Sequence, residues 1–196
     1  MDAIGLRTPP QYDRILCRSQ HIGFSMNSDA LTGSLLRTLA ASKTGGALLE
    51  LGTGCGLGTC WLLEGMDQSS SLVSVDNDPR AQAIAKEELG NDHRLALVPD
   101  DGAHFLARCS EEFDLIYADA WPGKYAQLEA ALRLLKPGGI YIVDDMLPQP
   151  NWPSDHAPHV ASLLGTLNGL PGFVTTSLSW ATGVVLCVRA SRETPM

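Results

Sequence analysis

Leu48-Leu49-Glu50-Leu51-Gly52-Thr53-Gly54-Cys55-Gly56-Leu57-Gly58 decides how this chain reads. A short apolar run carrying one acid is the pattern of a buried strand, and it runs straight into glycine at every second position. Such a turn leaves no room for side chains and lets the backbone approach a ligand closely. The spacing is G-x-G-x-G, whereas a dinucleotide site needs G-x-G-x-x-G after its strand. Counted from Gly52 the sixth position is Leu57, and from Gly54 it is Thr59. Neither register fits a nicotinamide cofactor.

Outward from this turn, strands alternate with amphipathic helices. Upstream, Ser28 or Asp29 is a suitable N-cap for a helix carrying Leu31, Leu35 and Leu39. Ala47 to Leu51 is the first strand, and Thr59 to Met66 reads as the helix after it. Leu72 to Val75 forms a second strand ending at Asp76, and Pro79 opens a helix with Ala81, Ile84, Ala85 and Leu89 on one side. Arg94 to Val98 and Phe113 to Ala118 are strands three and four. A helix carrying Tyr125, Leu128, Leu132 and Leu135 follows, and Pro137-Gly138-Gly139 turns the chain into strand five, Ile140 to Val143. One more helix covers about His159 to Leu167.

The end differs. Phe173 to Leu178 and Gly183 to Val188 are joined only by Ser179-Trp180-Ala181-Thr182, a connection that permits only an antiparallel hairpin. The expected architecture is α/β, a doubly wound, mostly parallel seven-stranded sheet closed by that hairpin. Residues 1–26, interrupted by Pro9 and Pro10, read as an N-terminal lid or appendage to a domain spanning 27–196.

Composition narrows the function. The 196 residues are 44% hydrophobic, enough for one sizeable core, and the net charge is −8. That charge argues against a nucleic-acid partner, whose phosphates call for a clustered basic surface. No apolar run approaches the roughly 18 residues of a membrane span, and Met1 to Gln20 lacks a signal-peptide pattern. Five scattered cysteines form no C-x-x-C pair, so neither a zinc site nor a disulfide framework is indicated, and a reducing, cytoplasmic setting is expected.

In open parallel sheets, ligands bind beyond the carboxyl ends of the strands. Four of those ends carry suggestive residues: the glycine turn with Gly52, Gly54 and Gly56; Asp76, 20 residues after Gly56, placed to accept from ribose hydroxyls; Asp101 after strand three, placed for an adenine amino group; and Asp119-Ala120-Trp121 after strand four. A glycine turn with no basic residue nearby, backed by Glu50, suits a ligand that carries a cation and no phosphate.

On these residues the chain resembles the class I S-adenosylmethionine-dependent methyltransferases. Glu50-Leu-Gly-Thr-Gly-Cys-Gly matches the family's first motif, Asp76 its ribose acid, and Leu135-Lys136-Pro137-Gly138-Gly139 the turn before strand five. The resemblance implies S-adenosylmethionine as methyl donor, with Glu50 and Gly52 near its methionine part and Asp101 near adenine. Within the family the chain is most similar to the metal-dependent catechol O-methyltransferases. That likeness implies Mg²⁺ held by Asp119, Asp144 and Asp145, a cofactor-contacting methionine at Met26 and a lid aromatic at Phe24. All-oxygen ligands suit Mg²⁺. The family's lysine base, three residues after the first metal aspartate, is replaced here by Pro122. Lys124, two positions further on, and His156 and His159, in H-x-x-H spacing beside Trp152, are the candidates left for that task. Trp121 reads as a wall against adenine or substrate.

The expected function is methyl transfer to a hydroxyl of a small molecule, Mg²⁺-assisted. Two other readings stay open: a metal-independent N- or C-methyltransferase, and a non-catalytic S-adenosylmethionine-binding module. The partners expected are a small-molecule acceptor and a second copy of the chain packed on the N-terminal segment, with neither nucleic acid nor membrane.

Overall fold

In a computed structural model, residues 5–149 and 152–191 are described. Residues 1–4 of the expected lid, Pro150 and Asn151 of the loop after strand five, and residues 192–196 lie outside the described residues. The central strands are buried on both faces, their side chains alternating between two cores. The first strand, β1 (Ala47–Leu51), sends Leu48 to one face and Leu49 and Leu51 to the other. The same alternation holds for β4 (Phe113–Ala118), where Leu115 and Tyr117 oppose Ile116 and Ala118. Strands β2 (Ser71–Asp76), β3 (Leu95–Pro99) and β5 (Leu135–Val143) run parallel to these, and β6 (Phe173–Leu178) and β7 (Val184–Arg189) close the sheet antiparallel in the order β3-β2-β1-β4-β5-β7-β6.

Each face carries its own core. Helices α1 (Tyr12–His21), α2 (Ala30–Ala41), α3 (Leu57–Gly65) and α4 (Pro79–Leu89) cover one face, burying Ile15, Leu36, Leu62 and Ile84 against Leu48, Leu115 and Ile142. Helices α5 (Gly102–Arg108), α6 (Leu128–Arg133) and α7 (His156–Asn168) cover the other, burying Leu106, Ala131 and Leu163 with Leu49, Ile116 and Val143. The winding reverses between β1 and β4, so the carboxyl ends of these neighbouring strands flank a crevice. Among the described residues, no helix is long and apolar enough to cross a membrane.

Several elements differ from the sequence expectation. Residues 12–21 form a helix despite Pro9 and Pro10, because both prolines precede its first turn, and its Arg14 and Arg18 pair with Glu88 of α4 at 2.8 and 3.0 Å. Ile15 is fully buried, so this helix belongs to the same core as α2 and α3. A second unforeseen helix is α5, capped by Asp101, whose Oδ1 accepts from the Ala103 and His104 N–H groups. Helix α6 is shorter than its leucine spacing suggests: Tyr125 lies in the preceding turn and Leu135 already begins β5. Helix α7 begins at His156 rather than His159. Ahead of Ile140, the register between β4 and β5 slips around Lys136–Gly139, where Gly138 has φ +77°.

Candidate active site

The glycine turn is built to the tolerance of a few tenths of an ångström. Gly52 has φ +103°, and a Cβ there would stand 2.6 Å from the Asp119 carbonyl oxygen. Both the left-handed backbone and the neighbouring strand end exclude a side chain. Gly52→Ala is therefore expected to cost about 2 kcal/mol or more of stability, read as a lowered urea midpoint. An unchanged midpoint would show that the strand ends relax freely.

Gly58 serves a different purpose. Its missing side chain makes room for Glu50, whose Oε1 would lie 2.6 Å from a Cβ. Glu50 is fully buried, and its Oε2 accepts from Thr59 and Ser74 hydroxyls, each at 2.5 Å. Oε1 has no partner among the described residues. Burial pushes this carboxyl up to about 8, against the pull of the two hydroxyls.

A crevice of about 260 Å³ opens over this turn, lined by Gly52, Gly54, Leu57, Gly58, Asp76 and Asp119 among others. Asp76 sits where the sequence suggested: its Oδ2 accepts from the Gly54 N–H at 2.7 Å and its Oδ1 from the Asp78 N–H at 2.8 Å, which ties the turn to the end of β2. Phe24 closes over Gly54, within 3.0 Å of its missing Cβ, and Met26 is an exposed wall residue. Two expected contacts are displaced. Glu50 lies beneath the crevice floor and is absent from its lining, and Gly56 faces α4, where a Cβ would meet Ala85 at 2.9 Å. Asp101 lines a smaller adjoining cavity of about 60 Å³ with Asp76, Ala120 and Pro122.

A second, larger cavity of about 460 Å³ shares Met26, Asn27, Ser28, Asp119, Ala120 and Trp121 with the first. Its outer wall is aromatic. The Trp121 ring centroid lies 4.6 Å from that of Tyr125, Trp152 lies 4.6 Å from His156, and the Tyr125 hydroxyl is 3.1 Å from His156 Nε2. His159 is exposed and packs on Trp121 at 5.1 Å, outside the cavity lining, because α7 begins a turn early and points it outward. His156 is the histidine that reaches the cavity.

Lys124 reaches it too. The chain curls after Trp121, whose carbonyl accepts from the Lys124, Tyr125 and Ala126 N–H groups, and the Tyr141 hydroxyl donates to the Gly123 carbonyl at 2.6 Å. This turn recovers the two extra positions that separate Lys124 from Asp119. Its Nζ is buried and donates to Asp119 Oδ1 at 3.4 Å and to the Asp144 carbonyl at 2.9 Å. Burial drives the Asp119 carboxyl up to about 7; Lys124 opposes the rise, and Asp144 and Asp145 add to it.

The residues expected to hold Mg²⁺ do not fit a divalent ion. The Asp144 carboxylate is engaged on both oxygens: Oδ1 accepts from Thr182 Oγ1 and the Asp145 N–H, both at 2.8 Å, and Oδ2 from the Tyr117 hydroxyl at 2.9 Å. Asp119 spends one oxygen on Lys124 and the other on Ser28, at 3.1 Å. Among the described residues, no three Asp, Glu, His or Cys side chains converge as a metal site. Mg²⁺ keeps several waters and asks the protein for a few carboxylate oxygens. Here those of Asp119 and Asp144 already serve the protein. Of the three acids only Asp145, in the same cavity lining, has a carboxylate that accepts no hydrogen bond among the described residues.

Comparison with known proteins agrees with this architecture. A family model described as "Methyltransferase domain" matches residues 49–146, half of the chain. A protein of Mycobacterium sp. (strain JLS), provisionally named an O-methyltransferase, is 33% identical over 140 residues, covering 67% of this chain and 64% of that protein. The chain thus spans somewhat under two thirds of that relative's length, and 58% of the similar protein from Mycolicibacterium vanbaalenii. Two solved structures share the fold: the O-methyltransferase TomG from Streptomyces achromogenes in complex with SAM (TM-score 0.81, 20% identity, 96% of this chain and 93% of that one) and an O-methyltransferase from Bacillus cereus in complex with SAH (TM-score 0.80, 20% identity, 95% and 93%). With the glycine turn, the strand-end acids and the reversed winding all inside the matched stretch, this chain belongs to the methyltransferase domain family.

Proposed function

We propose that the protein transfers a methyl group from S-adenosylmethionine to a hydroxyl of a small, planar acceptor. The observation that carries this reading is that two cavities meet at Asp119, Ala120 and Trp121, one over a bare glycine turn and one walled by aromatic rings. The relative's provisional name and the SAM and SAH of the two structural neighbours support it. When bound, S-adenosylmethionine supplies an electrophilic methyl group on a sulfonium sulfur.

The chain's own residues hold and orient. The turn at 52–58 admits the donor against backbone, Asp76 takes the ribose hydroxyls, and Asp101 borders the space for adenine. Glu50, beneath the floor, and Asp119, in the wall, hold protons that a bound cation would displace, so negative charge develops in the crevice as a sulfonium and an ammonium enter it. Trp121, Tyr125 and Trp152 offer ring faces to the acceptor, which favours a flat one. Lys124 stabilises negative charge developing on the acceptor oxygen, and His156, whose ring reaches the same cavity, takes its proton. No step passes through Mg²⁺, because two of the three carboxylates that would hold it, Asp119 and Asp144, are engaged within the protein.

Calorimetric titration with S-adenosylmethionine, followed by transfer assays across phenols, aliphatic alcohols and amines, tests the reading. Micromolar donor binding with turnover of a phenol is expected; transfer to amines alone would replace it with the N-methyltransferase reading. Asp76→Asn should raise the donor Kd by about ten- to a hundredfold, since one charged hydrogen-bonding group is lost, and change kcat at saturation far less. Unaltered donor affinity in that variant would reject the ribose assignment.

A further inference from the structure

Resting on the methyl-transfer reading, we propose that Lys124 takes the place of a divalent ion, so that the site works with a cation built into its own chain. Three acids end adjacent strands here: Asp119 after β4, and Asp144 and Asp145 after β5. Clustered carboxylates in a buried site need positive charge among them. The Lys124 ammonium meets that need, since it bridges the carboxylate of the first strand end and the main-chain carbonyl of the second.

The bridge is constructed by the whole turn. Gly123 has φ +90°, and a Cβ there would stand 2.7 Å from Leu51 Cδ1, so only glycine lets the chain pass this close to the end of β1. The Tyr141 hydroxyl, buried in the same core as Leu51, pins the Gly123 carbonyl. The neighbouring Pro122 packs against Gly102, 3.0 Å from its missing Cβ. Thus the Trp121-Pro122-Gly123-Lys124 turn, fixed by these contacts, delivers the ammonium to the strand ends.

The carboxylates are arranged to match. Asp144 turns its oxygens to hydroxyls of Thr182 and Tyr117 and to the Asp145 N–H, which leaves its main-chain carbonyl as the group facing Lys124. A metal entering this space would have to expel a buried ammonium and break those hydrogen bonds. Lys124 also lines the acceptor cavity, so the charge that replaces the ion acts on the same oxygen an ion would have polarised.

Mn²⁺ titration followed by electron paramagnetic resonance decides the matter without cofactor or turnover. The wild-type protein is expected to leave Mn²⁺ free up to about 1 mM, and Lys124→Met to gain at least about tenfold in Mn²⁺ affinity, because Asp119 loses its internal counter-ion. Lys124→Arg, which keeps the charge, should stay as blind to Mn²⁺ as the wild type. Submillimolar binding by the wild-type protein overturns the proposal, and so does a folded Lys124→Met protein with no gain. Failure of the methyl-transfer reading shows elsewhere, as absent donor binding in calorimetry.

Discussion

Glu50→Gln is expected to stabilise the protein above pH 8 by several kcal/mol while weakening donor binding. The native carboxyl holds its proton up to about pH 8, whereas in the unfolded chain it ionises near its ordinary 4.5. A raised native value means that Glu50's contribution is fully present below about pH 4.5 and is lost as pH climbs through about 8. The loss is on the order of 5 kcal/mol, at about 1.4 kcal/mol for each tenfold of proton affinity. Glutamine carries no such proton, so its curve of thermal midpoint against pH should be flatter and cross above the wild type on the alkaline side. Asp119, pushed up to about 7, keeps part of the slope in both proteins. Parallel curves between pH 5 and 9 would remove Glu50 as the source. A cationic donor bound above the floor favours the ionised form of Glu50. Wild-type binding near pH 7 should therefore release a proton, seen as a buffer-dependent heat, and the glutamine variant should release less and bind about tenfold more weakly.

The largest kinetic effect is expected for Lys124→Met: a fall in kcat of about a hundred- to a thousandfold, the scale of losing one preorganised charge at the reacting oxygen. The donor Kd should move by less than about threefold, since the ammonium faces the acceptor cavity and is absent from the lining of the donor crevice. Without its counter-ion the Asp119 carboxyl takes up a proton at neutral pH, so the variant is expected to fold. The acid limb of its residual pH–rate profile should then shift upward. Equal losses in donor affinity and kcat would assign Lys124 to structure alone.

The strand–turn core was legible because its signals are local. Leu48 to Leu51 are all buried, as their apolar run implied, Gly52 to Gly58 carry the turn, and Asp29 and Asp78 cap the helices they precede, accepting from Leu31 N–H at 2.7 Å and Arg80 N–H at 2.8 Å. Asp101 carries the same capping signal, but a seven-residue helix gives too short a hydrophobic period to stand out behind it. Helix α1 hides behind Pro9 and Pro10, which break a helix only when they lie inside it. Histidine spacing in His156-x-x-His159 suggested a shared task, yet adjacent helical turns put one ring in the cavity and the other outside it.

Sequence alone determined the succession of seven strands, the antiparallel closure and the location of a ligand crevice at the end of β1, since hydrophobic period and turn residues act over a few positions. What Asp144 does was decided only in three dimensions, by Thr182 and Tyr117, 38 and 27 positions away. The same holds for Lys124, which reaches Asp119 because Tyr141 and Leu51 shape the turn that carries it. A carboxylate's chemistry depends on who donates to it, and those donors arrive from distant strands that no local pattern records.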